Sequence, residues 1–281
     1  MHLLSIGEIL WDLIDGTAHL GGAPFNVAVH VHRLGHHVAF VSAVGDDDRG
    51  RVALAEAAAQ GVATDFIGTI PGVPTGTVTV TLDSTGQPAF TIHRPAAYDF
   101  IPPKPVAFDL DWICFGTLLQ TGPSMRRVVQ QLLDTHPSAG RFYDVNLRPA
   151  CYTPELVADL LRQATVVKLN ESEVEAVTRM TGTPAGSLEE FCRRWPAACV
   201  TRGAAGCAIF LDGQYCECPG YPVKVADTVG SGDAFSAAFL HGIAQCWPPR
   251  RIGDFANRVG ALVASRSGAT PPWSVAEAEA L

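Results

Sequence analysis

The stretch "VKVADTVGSGDAFSAAFLHG", residues 223–242, decides how the rest of the chain is read. Gly230, Ser231, Gly232 and Asp233 stand at the mouth of a strongly apolar segment with the character of a helix. Glycines so close together make poor helix interior but a good helix entrance, because they let the backbone approach a ligand and leave N–H groups pointing outward. Such an entrance suits an anion. The acid is the puzzle, since the helix dipole favours a carboxylate there, yet that carboxylate would repel a phosphate held on the same N–H groups. Asp233 is either a bare cap or a base. In phosphoryl transfer it would accept the proton of the attacking hydroxyl, and its repulsion would vanish as it did so.

Outward from this stretch, short β-rich runs alternate with helical ones, the pattern of a parallel sheet with crossover helices. Residues 2–10, 38–45, 112–119, 141–147, 166–170, 198–203 and 207–213 read as strands. Helices are expected at 23–35, 48–61, 123–135, 154–163, 171–180, 231–245 and 250–264. One region breaks the alternation: "PTGTVTVTLDSTGQPAFTIHRPAAY", residues 74–98, holds two β-branched runs around "DSTGQ" with no helix between them. It reads as an antiparallel insertion, a candidate lid.

Composition closes off other classes. Of the 281 residues 47% are apolar and 17% charged, so burial dominates the design. A net charge of −8, with lysine only at 104, 168 and 224, excludes a phosphate-backbone binder, so no nucleic-acid partner is expected. The apolar start is broken by Glu8, Asp12 and Asp15, well short of the ~18 residues of a membrane span, and lacks a positive leader. A cytoplasmic protein without membrane contact is expected. The eight cysteines form no C-x-x-C pair and read as reduced, small apolar residues. His30, His32, His36 and His37 read as a solvated helix end rather than a ligand set. There is no P-loop, no dinucleotide-binding G-x-G-x-x-G and no G-x-S-x-G elbow.

Several motifs together carry a resemblance. "DTVGSGDAF" resembles the D-T-x-G-[AS]-G-D signature of the ribokinase-like sugar kinases, the PfkB family. "LGGAPFNVAVHVHRLG", residues 20–35, is similar to the family's N-terminal signature through Gly21, Gly22, Asn26 and Ala28. Between them stand "DVNLRP" (Asp144, Asn146, Arg148), "KLNESE" (Asn170, Glu173) and "VTRGAAG" (Thr201, Gly203, Gly206), so the likeness spans essentially the whole chain. It implies a three-layer α/β/α sandwich over residues 1–281, with a mostly parallel central sheet and a small β lid from residues 12–20 and 70–98.

The roles implied by the resemblance are specific. Asp233 would be the general base, and the backbone of Gly230, Ser231 and Gly232 the anion hole, with Arg148 reaching a phosphate. Asp12, Gly21, Gly22, Asn26, Arg94, Asp144 and Asn146 would bind sugar, and Thr201, Gly203, Gly206, Asn170 and Asn257 would border ATP. Asn170 and Glu173 would organise Mg²⁺ and its waters, or alternatively form a capping pair on the following helix. Asp227 and the loop "SRSGAT" match a K⁺ site found in this family. Within the family the chain looks most like bacterial fructokinases, through "GGAPFNVA" and the lid segment "HRPAAYD". Arg94 in that segment could also meet a carboxylate, which keeps 2-dehydro-3-deoxygluconate and similar acidic sugars open as acceptors, and ribose is a further alternative. A catalytically silent sugar- or nucleotide-binding relative is the alternative from another class. The lid, with an apolar alternate face at 76–82, would suit a homodimer or packing on the chain's own body.

Overall fold

Runs such as "VVKLN" and "AACVT" are apolar at successive positions, so both of their faces need cover. In the computed structural model, which describes all residues except 15, 83–87, 103, 107 and 183–185, they lie in a sheet clad by helices on both sides. The chain begins with β1 (His2–Ile6), β2 (Leu10–Ile14), β3 (Thr17–Gly21), α1 (Ala23–Arg33), β4 (His37–Gly45) and α2 (Asp48–Ala59). It continues through β5 (Ile67–Ile70), β6 (Gly76–Leu82), β7 (Pro88–His93), β8 (Trp112–Gly116), α3 (Pro123–Thr135) and β9 (Gly140–Asp144). Next come α4 (Pro154–Gln163), β10 (Val166–Asn170), α5 (Glu171–Thr181), α6 (Leu188–Cys192) and β11 (Ala197–Thr201). The hairpin β12 (Cys207–Leu211) and β13 (Gln214–Cys218) precedes α7 (Ser231–Ala244), α8 (Pro249–Ala264) and α9 (Val275–Glu279).

The large sheet has nine strands in the order β13-β12-β11-β10-β9-β8-β1-β4-β5. All neighbours from β11 to β5 run parallel, and β12 and β13 close one edge antiparallel. Alternate side chains serve opposite layers. Leu3, Cys114, Phe142, Val166 and Cys199 pack against α7 and α8, while Leu4, Ile113, Tyr143, Val167 and Ala198 pack against α3, α4 and α5. The cysteines are free among the described residues, and Cys199, Cys207 and Cys218 sit in the apolar layer under α8, as small hydrophobic residues would. No helix among the described residues is long and apolar enough to cross a membrane.

The second sheet, ordered β3-β2-β6-β7, is a small sheet built from the segments expected to form the lid, with different borders. The run 2–10 is not one strand: β1 ends at Ile6, and the chain re-enters β2 at Leu10, which belongs to the small sheet. A Cβ at Gly7 would overlap Pro24 Cγ at 2.3 Å, so the chain bends where α1 presses on it. Asp12 therefore lies within a lid strand rather than just after the first strand. The lid begins at Leu10 and Gly76, and residues 67–70 pair instead with β4 in the large sheet. β2 joins β6 in parallel, a long-range pairing that unites the two lid segments. The turn expected at "DSTGQ" lies outside the described residues. Val78 is buried in the chain's own core beside Tyr98 and Leu10, which occupies part of the apolar face considered for dimer pairing.

The histidine reading needs correction. His30 is fully buried, with one ring nitrogen at Ala269 O (3.1 Å) and the other accepting from Trp273 Nε1 (3.0 Å). His36 is also buried, against His241 at 2.9 Å. The segment 269–273 and α7 cover this end of α1, so His30 and His36 became core, while His32 and His37 are exposed as the sequence reading had them. Burial pushes the His30 imidazole down to about 3, which keeps it neutral.

Candidate active site

In a parallel sheet, ligands gather beyond the carboxyl ends of the strands, where strand order reverses. Here β1 is flanked by β8 and β4, and the residues just past β1, β8, β9, β10 and β11 all open on that edge. Glu8, Thr117, Asn146, Arg148 and the last residue of β9, Asp144, line a narrow cavity there with Ala23 and Pro24 of α1. A second cleft, of about 290 Å³, is lined by Thr201, Gly203, Gly206, Ser231, Gly232 and Asn257, among others. The α7 N-terminus stands between the two. A larger groove of about 730 Å³ beside α4 and Trp195 holds none of the candidate residues.

Two positive-φ glycines build the meeting point. Gly22 (φ +111) opens α1, and its missing Cβ would stand 2.4 Å from Glu8 O. Gly230 (φ +75) opens α7 directly against the backbone of Ala269. Gly230→Ala is expected to cost about 2 kcal/mol or more, because strained φ and a contact of 2.2 Å to Ala269 O act together. Thermal unfolding measures this, and an unchanged midpoint would show that the loop yields freely.

With these turns in place, Asn26 of α1 donates from Nδ2 to Asp233 Oδ2 at 2.8 Å. The N-terminal glycine motif and the one at the α7 entrance thus meet in one hydrogen bond. Asn26 Oδ1 is buried and has no partner among the described residues, so the pair presents an idle acceptor beside the carboxylate. Of the three N–H groups expected to form an anion hole, that of Ser231 donates to Thr228 O at 3.3 Å. Among the described residues no backbone hydrogen bond uses the first-turn N–H groups of Gly230, Gly232 and Asp233.

Asp233 is enclosed enough that burial, followed by the charge of Asp144, raises its pKa to about 6. Lys168, the Asn26 hydrogen bond and Arg148 pull the other way. Lys168 was not singled out from sequence. Its ammonium lies 3.2 and 3.1 Å from the two Asp144 oxygens, and Ser236 of α7 donates to Asp144 at 3.2 Å. A Cβ on Gly232 would be 3.4 Å from Lys168 Nζ, so this cation sits directly behind the anion hole. Its signal was a charge inside a buried strand, "VVKLN". Glu8 was also passed over as part of a strand; burial, against the pull of Arg148, raises its carboxyl to about 7.

The other predicted residues fall into two groups. Asp12 lies against Gly21, whose added Cβ would be 2.8 Å from Asp12 Oδ2, and burial raises its carboxyl to about 6. Arg148 is exposed, its side chain makes no hydrogen bond or ion pair among the described residues, and it faces Glu8, Asp12 and Asp233 electrostatically. These two are open to a ligand. Asn146 is at φ 36, a strained conformation for a residue with a side chain.

By contrast, several side chains are already committed. Asn170 and Glu173 form a capping box on α5: Glu173 N donates to Asn170 Oδ1 (2.9 Å) and Asn170 N to Glu173 Oε2 (2.8 Å). Glu173 Oε1 also accepts from Leu147 N at 2.8 Å. Asn257 donates to the carbonyls of Cys218 and Pro219 (3.2 and 3.0 Å), so it shapes the cleft while its amide stays occupied. Asp227 accepts from Val229 N (3.0 Å) and Gly268 N (3.1 Å), tying together the two loops considered for K⁺. Arg94 is bound to Asp99, Leu118 and Thr121. Among the described residues no group of three or more His, Cys, Asp or Glu side chains could hold a metal ion by itself.

A helix entrance with outward N–H groups, a carboxylate beside it and two pockets nearby is an arrangement suited to phosphoryl transfer. Comparison with known proteins agrees. Residues 10–276 match the model of the pfkB family of carbohydrate kinases. A fructokinase of Klebsiella pneumoniae is 32% identical over 286 residues, covering 94% of this chain and 93% of its own length. The solved fructokinase of Vibrio cholerae O395, with fructose, ADP and calcium bound, superposes with a TM-score of 0.86 at 26% identity, covering 99% of this chain and 98% of the other. A sugar kinase of Pyrococcus horikoshii in complex with ATP gives 0.84 at 29% identity, with 95% and 94% covered. The chain belongs to the pfkB family of carbohydrate kinases and has its ribokinase-like fold.

Proposed function

We propose that this kinase transfers the γ-phosphoryl group of ATP to a primary hydroxyl of fructose, with Asp233 as general base. The observation that carries the reading is the Asn26–Asp233 hydrogen bond, which sets a base and an unpartnered acceptor between the two pockets. ATP would occupy the cleft floored by Thr201, Gly203 and Gly206, its γ-phosphoryl at the N–H groups of Gly230 and Gly232. Sugar hydroxyls would meet Asp12, Asn26 and the cavity beside Glu8 and Asn146. As the sugar oxygen bonds to phosphorus, the bond to the ADP oxygen breaks and the hydroxyl proton passes to Asp233. Arg148, uncommitted and exposed, would meet the developing phosphate charge. Among the described residues no group of three or more His, Cys, Asp or Glu side chains could hold a divalent ion, and Mg²⁺ would arrive on the nucleotide with its phosphate and water ligands.

The test is ADP release from MgATP across fructose, ribose, glucose, 2-dehydro-3-deoxygluconate and nucleosides, with and without K⁺. Fructose is expected to give the highest kcat/KM, and turnover on nucleosides alone would overturn the assignment. The pH profile is a separate prediction. Only ionised Asp233 can take the proton, and its pKa is raised to about 6. Activity is therefore expected to be full above that value and to fall tenfold per unit as pH drops below it. A log kcat/KM profile flat down to pH 4.5 would rule out such a base.

A further inference from the structure

We propose that Asp99 is a specificity-determining residue, which commits the acceptor site to uncharged sugars by holding the Arg94 guanidinium in an ion pair. The inference rests on the kinase reading of the cavity beside Glu8 and Arg148.

Arg94 follows β7 at the end of the lid and reaches the body of the protein. Its Nη1 donates to Leu118 O (3.2 Å) and to Thr121 Oγ1, and Leu118 itself lines the acceptor cavity. The Nε and Nη2 edge, the fork that a substrate carboxylate would need, is instead filled by the two oxygens of Asp99. Asp99 is fixed in turn by the Ala96 N–H at 3.0 Å, within the short turn that follows the lid. Both side chains are largely shielded, at 23% and 13% exposure, so solvent screens the pair only in part.

The consequence for an incoming acid is unfavourable on two counts. It would have to displace Asp99 from a hydrogen-bonded fork, and it would enter beside the carboxyls of Asp99 and Glu8. Lys168 is already paired with Asp144, which leaves Arg148 as the uncommitted cation bordering this cavity among the described residues. Arg148 is needed for the transferred phosphate. A neutral sugar asks for none of these charges and meets hydroxyl-sized donors and acceptors.

Removing the charge at position 99 should free the fork. Asp99→Asn keeps an oxygen for the Ala96 N–H, and Asp99→Ser keeps a hydroxyl in case the amide folds poorly; thermal unfolding checks both. In either folded variant, kcat/KM for 2-dehydro-3-deoxygluconate relative to fructose is expected to rise by about tenfold or more, chiefly through a lower KM for the acid. Adding Arg94→Gln should cancel that gain. A purely structural Asp99 would lower both substrates alike, and an unmoved ratio in a parent that phosphorylates fructose would overturn the inference alone. A parent that prefers the acid would overturn it too. A parent with no sugar-dependent turnover would overturn the kinase reading and the inference with it.

Discussion

Asp233→Asn is expected to lower kcat by about 10² to 10⁴ while leaving ATP and sugar binding nearly intact. An amide cannot take the proton of the attacking hydroxyl. It can still accept the hydrogen bond from Asn26, so the turn that joins the two glycine motifs should survive. Burial already disfavours the charged carboxylate at this position, and stability should not fall when the charge is removed. Single-turnover rates with bound MgATP, alongside calorimetric binding of nucleotide, separate these effects. A variant retaining more than about a tenth of the parental rate would remove Asp233 from the role of base.

Lys168→Met is expected to have the largest effect on stability. Its ammonium and the Asp144 carboxylate are 9% and 7% exposed, and both oxygens of Asp144 are engaged by it. Burial would by itself push the lysine pKa down, but Asp144, Glu173 and Asp233 outweigh it and hold the ammonium charged. Removing one partner of such a pair costs about 3–5 kcal/mol, because the other is left buried without compensation. A second consequence reaches the chemistry. Lys168 lowers the Asp233 pKa, so its loss should move the acid limb of the pH profile above about 6. Denaturant unfolding and the pH dependence of kcat/KM measure the two effects independently. An unshifted limb in a folded variant would mean that Lys168 serves packing alone.

How far the site could be read from sequence depended on whether local chemistry or tertiary contact fixed it. The two helix entrances were legible because closely spaced glycines and an apolar run are local signals, and the structure brings Gly22, Asn26, Gly230 and Asp233 together where α1 and α7 begin. The alternation of strands and helices was legible for the same reason. Where an interaction joins distant segments, the reading fell short. Nothing local shows that Leu10–Ile14 leaves the large sheet to run parallel with Gly76–Leu82. His30 looked wet because the segment that covers it lies at the other end of the chain. Arg94 was read as free for a ligand, although Asp99 stands only a turn away in "HRPAAYD" and takes its fork. Asn170 and Glu173 have the capping-box spacing, and that simpler reading describes their hydrogen bonds.

The central claim is phosphoryl transfer to a sugar hydroxyl at the α7 entrance. Phosphorus NMR of MgATP and fructose incubated with the protein tests it most directly, because it follows the transferred group itself. The account predicts a sugar phosphomonoester signal that grows in step with ADP and nearly disappears in Asp233→Asn. ADP accompanied only by inorganic phosphate, or equal phosphomonoester formation by parent and variant, would contradict it.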